Sequence, residues 1–189
     1  MPEPAKDTPQ DSPKPSQDPP KLTIHGVVAE GEPLDAATIV KINEAAKGIR
    51  KNRTYIAYKN EVRIGGTLAW RANNPGNLRG AANEIAKVPG AKGYFAVFPT
   101  LAEGEKAQRA LYLDHYGTWM VKEAIKKLTP SSENNTEKYI SDLKKQGVDM
   151  EKDVKSQIDL VMRAVKVNEG SGAGIIVQRG KTQTPDKKS

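Results

Sequence analysis

With no cysteine and only two histidines, His25 and His115, in a chain of 189 residues, the side chains left to do chemistry are carboxylates, amides and hydroxyls. Thiolate nucleophiles, disulfides and cysteine-built metal centres are excluded, and two isolated histidines are too few for a histidine-built zinc site. No metal and no cofactor is expected, and neither histidine is assigned a role. The densest polar group is the run Asn73-Asn74-Pro75-Gly76-Asn77, followed directly by Leu78 and Arg79. Each amide offers both donors and an acceptor, which suits recognition of a polar ligand. Asparagine also tolerates left-handed backbone and makes Asx-turns, so the same residues can serve only to shape a turn. Both readings stand. Among the glutamates, Glu103 is explained as part of a helix cap and Glu105 by an exposed helix face.

These residues must be positioned by the elements around them. Ile39, Ile42, Ala45, Ala46 and Ile49 recur at helical spacing after Asp35, a capping residue, and predict a first helix over about 35–50. From Thr54 to Trp70 the β-branched and aromatic residues flank Lys59-Asn60-Glu61, which predicts a hairpin. The Asn-Pro-Gly run is a loop. Thr100-Leu101-Ala102-Glu103 reads as a capping box opening a helix to about His115. Further helices are expected over about 119–128, stopped by Pro130, over 136–146, stopped by Gly147, and over 151–168, stopped by Gly170. The fold class is therefore α+β, mainly α-helical. No internal repeat is visible.

Composition sets the limits of this domain. Seven of the 13 prolines fall in residues 1–20 among Lys, Asp, Ser and Gln, a mixture that cannot bury apolar surface, and residues 179–189 are polar and basic. The expected organisation is a Pro-rich linker over 1–20, one folded domain over 21–178 and a disordered basic tail over 179–189. The first twenty residues carry −2 and the last eleven +3, which leaves +6 of the total +7 on the domain. That balance points to an anionic partner such as nucleic acid, acidic lipid or bacterial cell wall. No stretch approaches the ~20 consecutive apolar residues of a membrane span, and Met1 to Pro20 has no signal-peptide core, so neither a span nor an own signal is expected.

Asn73-Asn74-Pro75-Gly76-Asn77-Leu78-Arg79, then Gly93-Tyr94-Phe95-Ala96-Val97-Phe98, then a helix with Glu103-Gly104 and Ala110-Leu111, resembles a lysozyme-like family of phage virion proteins and antibacterial secretion effectors. Thr129-Pro130, Glu133-Asn134-Asn135-Thr136, Tyr139-Ile140, Gly147-Val148 and Asn168-Glu169-Gly170 continue the likeness in the same order. It covers roughly residues 70–170. The family more often has Trp-Pro where this chain has Thr129-Pro130, and Glu-Asn-Gly where it has Asn168-Glu169-Gly170. The resemblance implies a lysozyme-like fold with a small β-hairpin beside the substrate cleft. It also implies cleavage of the peptidoglycan glycan strand between N-acetylmuramic acid and N-acetylglucosamine. A hydrolase (muramidase) is expected, with a lytic transglycosylase as the alternative.

Such chemistry needs a protonated carboxyl at the leaving oxygen. Glu61 is the leading candidate, because lysozyme-like folds place the acid at or just before a hairpin facing the substrate loop. Lys59 and Arg63, two residues away on either side, argue for an ionised surface charge instead. Glu44 is the second candidate, on the helix before the hairpin, although Lys41 and Lys47 make an exposed charge ladder the simpler account. Glu169 is the third, since a carboxylate at a helix C-terminus meets the negative end of the dipole and its presence there wants a reason. Asn73, Asn74, Asn77, Arg79 and Tyr94 are the candidate substrate-binding residues, with Arg79 suited to a peptide-stem carboxylate. Phe98 reads as a cleft wall or as core.

The partners that follow from the resemblance are peptidoglycan, an immunity protein and a carrier in a secretion machine or phage particle. Nucleic acid is not among them, and a monomer is expected. Delivery would be to a target-cell periplasm or as part of a larger protein. Two other classes compete: a non-catalytic wall-binding virion or secretion component, and a basic nucleic-acid-binding module. The second is favoured by pI 9.4 but lacks a recognition-helix signature.

Overall fold

The computed structural model describes residues 19–90, 93–130 and 135–180. The linker expected over 1–20 lies outside these residues up to Asp18, the basic tail lies outside them beyond Gly180, and so do Glu133 and Asn134 of the motif. Among the described residues the chain is α+β, with the order β1 (His25–Val28), α1 (Ala36–Lys47), β2 (Thr54–Ala57), β3 (Glu61–Ile64), α2 (Leu68–Arg71), β4 (Ala86–Gly90) and β5 (Gly93–Val97). Then follow α3 (Leu101–Tyr116), α4 (Val121–Leu128), α5 (Thr136–Lys145), α6 (Ile158–Glu169) and β6 (Ile175–Gln178).

The first sheet has the order β1-β2-β3-β6, with β1 parallel to β2 and the other neighbours antiparallel. Strand alternation sorts its side chains into two faces. Tyr55, Ala57, Val62 and Ile64 pack with Ile42 and Ala46 of α1, whereas Ile56 and Tyr58 pack with Val88 and Val97 of the β4-β5 hairpin. The far side of that hairpin joins Leu78, Ala96 and Phe98 to Ala107 of α3. Tyr112, Val121, Ile125, Ile140, Leu143, Val154, Val161 and Val165 form the largest core, among α3, α4, α5 and α6. The layers therefore run from α1 through the sheet and hairpin to a helical half.

Local chemistry explains the joints. Asp35 accepts from the Thr38 amide at 2.6 Å to cap α1, and Thr100 accepts from the Glu103 amide at 3.2 Å to cap α3. Close packing of α3 on the Asn-rich loop requires Gly104, because a Cβ there would lie 1.8 Å from the Asn73 carbonyl oxygen. After α6 the chain turns at Gly170, φ 81°, and returns to the sheet as a glycine-rich strap. The strap lies so tightly on Gly66 that a Cβ at that residue would meet Gly172 O and Gly174 N, each at 2.6 Å.

The hairpin expected from Thr54 to Trp70 ends at Ile64, with Leu68–Arg71 forming α2, and two further boundaries differ from the sequence expectation. α6 begins at Ile158 and not near Glu151, because a short 3₁₀ turn over Lys155–Gln157 precedes it and the Val154 and Lys155 amides are spent on Trp119 O and Gly117 O. Arg179, expected in the disordered tail, is bound into the fold. Its amide donates to Asn60 O at 2.9 Å and its guanidinium to the carbonyls of Tyr58 at 2.8 Å, Glu30 at 3.1 Å, Pro33 at 3.2 Å and Glu32. No helix among the described residues is long and apolar enough to cross a membrane.

Candidate functional site: a carboxylate in a cleft

Between the Asn-Pro-Gly loop and the helical half lies a cleft of about 620 Å³. One side is the loop from Gly76 to Gly80 with Phe95 of β5. The other is Leu111 and Tyr112 of α3, the α4 end from Ile125 to Pro130, and Tyr139 of α5. Glu169, the last residue of α6, completes the lining, and among the described residues it is the cleft's only carboxylate.

Glu169 is held at both oxygens. Asn77 Nδ2 donates to Oε2 at 2.5 Å, and the Tyr139 hydroxyl donates to Oε1 at 2.8 Å. Charge-assisted bonds of this kind offset the unfavourable helix terminus, which costs about 0.3–1 kcal/mol. Its backbone is tied to the sheet as well: Thr67 Oγ1 donates to Gly170 O at 3.1 Å and the Thr67 amide to Gly172 O at 2.8 Å. Burial first, and the Glu169 charge second, push the Tyr139 hydroxyl strongly upward, so it stays a proton-bearing donor at neutral pH. Burial likewise pushes Tyr112 up to about 12, and its hydroxyl accepts from Gln108 Nε2 at 3.4 Å. The basic groups on the lining are Arg79 and Lys127.

The asparagines of the loop divide by role. Asn73 is buried with Nδ2 on Phe98 O at 3.0 Å and Pro99 O at 3.2 Å, and Oδ1 accepts from Arg63 Nη1 at 2.6 Å. Asn74 is fully buried, with Nδ2 on Leu78 O and Ala96 O at 2.9 Å each and Oδ1 accepting the Leu78 amide at 2.8 Å. Both amides are committed to holding the loop. Asn73 and Asn77 also adopt left-handed backbone, φ 53° and 47°. Asn77 alone of the three lines the cleft.

The remaining sequence candidates are distributed as follows. Glu61 opens β3 away from the cleft lining, and its Oε1 accepts from Arg63 Nε at 2.7 Å. That arginine is sandwiched between Tyr58 and Trp70, 5.1 and 5.4 Å from the ring centroids, and also donates to Trp70 O at 2.8 Å. Glu61 is thus the counterion of a guanidinium that ties the sheet to the Asn loop. Glu44 is exposed on α1 and paired with Lys47 at 2.7 Å. Tyr94 is exposed outside the cleft lining and Phe98 is fully buried core. Arg79 does line the cleft, with its guanidinium carbon 5.3 Å from the Phe95 ring centroid.

Tyr139, Tyr112, Phe95 and Lys127 were not assigned a role from the sequence. Tyr139 sits beside Ile140 on an amphipathic helix, where a tyrosine reads as core. Phe95 was hidden by its neighbour Tyr94, and strand alternation decides which of the two turns toward the cleft. Compared with known family models and with curated proteins, the chain matches none.

Proposed function

We propose that this protein cleaves the glycan strand of peptidoglycan between N-acetylmuramic acid and N-acetylglucosamine, with Glu169 as the general acid, in a lysozyme-like fold. One observation carries the reading. The residues of the lysozyme-like resemblance are spread over about a hundred positions, yet Asn77, Arg79, Phe95, Leu111, Thr129, Pro130, Tyr139 and Glu169 all line one cleft. Motifs drawn to a common surface from six separate segments are expected of a binding site and not of a shared core.

The chemistry follows from a single carboxyl. Protonated Glu169 gives its proton to the glycosidic oxygen as the C1–O bond breaks, and the oxocarbenium-like centre is then trapped. If water attacks C1, its proton returns to Glu169 and the product is a reducing sugar. If the muramic acid C6 hydroxyl attacks, its proton returns in the same way and the product is the 1,6-anhydro sugar. Asn77 and Tyr139 stabilise the carboxylate formed after proton transfer. Arg79 and Lys127 favour a substrate bearing carboxylates, such as peptide stems. As an antibacterial effector or phage wall-penetrating domain, the protein would be delivered to the periplasm by a larger carrier and held in check by an immunity protein in its producer.

Mass analysis of soluble products from purified sacculi tests this directly. The wild-type chain is expected to release reducing or anhydro disaccharide peptides, and Glu169→Gln to release almost none. Sacculi left intact but bound by folded protein would replace the proposal with a non-catalytic wall-binding component. Salt-sensitive binding to DNA without glycan cleavage would replace it with a basic nucleic-acid-binding module.

A further inference from the structure

Asn77 carries a feature that substrate contact does not explain. While its Nδ2 donates to Glu169 Oε2 at 2.5 Å, its Oδ1 is buried without a hydrogen-bond partner. The same loop satisfies both ends of the Asn73 and Asn74 amides, so the unfilled acceptor is peculiar to the asparagine that faces the carboxylate. A buried carbonyl with no donor loses the hydration it had in water and gains nothing in return. A half-turn of the amide brings this oxygen to Glu169 and the NH2 group to the unpartnered position.

An ionised carboxylate only accepts, so Asn77 must present its NH2 group to it. A protonated carboxyl carries an O–H that can donate. The terminal amide torsion is broad and close to two-fold, and a half-turn exchanges Oδ1 with Nδ2 without moving the backbone. That backbone is anchored by left-handed geometry, φ 47°, and by the Asn77 amide on Asn74 O at 3.1 Å.

We propose that Asn77 is a positioning residue that follows the proton of Glu169, donating to the ionised carboxylate and turning over so that Oδ1 accepts from the protonated carboxyl. The inference rests on the reading of Glu169 as the acid only for its place in a catalytic cycle. Tyr139 from α5 bonds Glu169 and Tyr112 from α3 feels its charge, while Arg79 from the loop and Lys127 from α4 line the same cleft. On α6, Lys166 is paired with Glu105 at 2.7 Å. The turned amide is the element that holds the proton-bearing form, the one competent to deliver a proton. Once the proton has left for the glycosidic oxygen, the amide turns back and donates to the new carboxylate.

The test is a pH titration of the full chain by NMR, following the Glu169 side-chain carboxyl carbon and the Asn77 side-chain NH2. The expected result is one shared midpoint, with the Asn77 NH2 protons protected from exchange above it and unprotected below it. Glu169→Gln abolishes the movement of the Asn77 signal. Tyr139→Phe, which removes the other donor to the carboxylate, moves both midpoints upward together. An Asn77 NH2 that stays protected on both sides of the Glu169 midpoint, or a midpoint that stays behind when Tyr139→Phe moves that of Glu169, overturns the inference. Shared midpoints in a chain that leaves sacculi intact would uphold it while removing the glycan-cleavage reading.

Discussion

Replacing Glu169 by glutamine separates the chemistry of the cleft from its architecture. The glutamine Oε1 still accepts from Tyr139, and its Nε2 can donate to the unpartnered Asn77 Oδ1, so the local hydrogen bonding is rebuilt with one amide rotation. Loss of a negative charge at the α6 C-terminus is favourable by about 0.3–1 kcal/mol, which offsets the weaker neutral bonds. The net change in stability should fall within about 1 kcal/mol, a shift of no more than ~4 °C in Tm for a chain of this size. Activity should fall by about 100- to 10,000-fold, the usual contribution of a general acid. Glu61→Gln is the contrasting variant. It removes the counterion of Arg63, whose bonds to Trp70 O and Asn73 Oδ1 remain, and should cost about 1–2 kcal/mol while leaving activity per folded molecule intact. The assay is release of soluble disaccharide peptides from sacculi, normalised to folded protein by circular dichroism. Near wild-type activity in Glu169→Gln, with loss in a well-folded Glu61→Gln, would refute the reasoning and move the acid to the sheet.

Three further outcomes follow from the same contacts. Asn74→Ala strands the buried Leu78 amide and takes a donor from the Leu78 and Ala96 carbonyls, the first of which keeps the Ala96 amide at 2.8 Å, so chemical denaturation should show a loss of about 1–3 kcal/mol; a loss below ~0.5 kcal/mol would mean that water replaces the amide. Gly104→Ala puts a methyl 1.8 Å from the Asn73 carbonyl oxygen and should cost about 1–3 kcal/mol and also lower kcat, because the loop that carries Asn77 must shift; unchanged stability and activity would contradict the packing. Burial pushes Tyr112 up to about 12 and Tyr139 upward as well, whereas tyrosine titrates near ~10 when unfolded. The Tyr112 contribution is complete below about pH 10 and is lost as pH rises through about 12, and Tyr139 keeps its proton in the fold as the unfolded chain loses it, so unfolding free energy should fall across that window and fall less in Tyr139→Phe.

The parts of the fold legible in the sequence are those fixed by neighbours in the chain. Asp35 and Thr100 announce helix starts through bonds three residues long, and Gly147 and Gly170 mark helix ends through positive φ, 88° and 81°. Strands β1 and β6 escaped the reading because their partners are remote or parallel: Ile175 pairs with Ile64, and His25 with Thr54. Strand β4 was obscured by Pro89, which sits on a strand of a two-stranded sheet, where its missing donor costs little. The site divides in the same way. The Asn loop and Glu169 were visible as motifs, and Arg63 at i+2 already weighed against Glu61. What ranks the carboxylates is a contact between residues 92 apart, Asn77 with Glu169, which no local pattern encodes.

The placement of Glu169 draws on three separately packed regions. Its backbone position is fixed from the segment that follows β3, since Thr67, the N-cap of α2, holds Gly170 O and Gly172 O. Its Oε2 is met by a loop whose shape depends on Arg63, Gly104 and the buried amides of Asn73 and Asn74. Its Oε1 is met by a tyrosine anchored in the helical core beside Ile140 and one turn before Leu143. A side chain at the end of a helix would otherwise fray with the helix, and no single contact here would prevent it. With three anchors in different cores, loss of one lets the carboxyl drift while the other two keep it in the cleft. Damage to the sheet junction then acts through backbone position, and damage to the loop or α5 acts through the proton-bearing bonds.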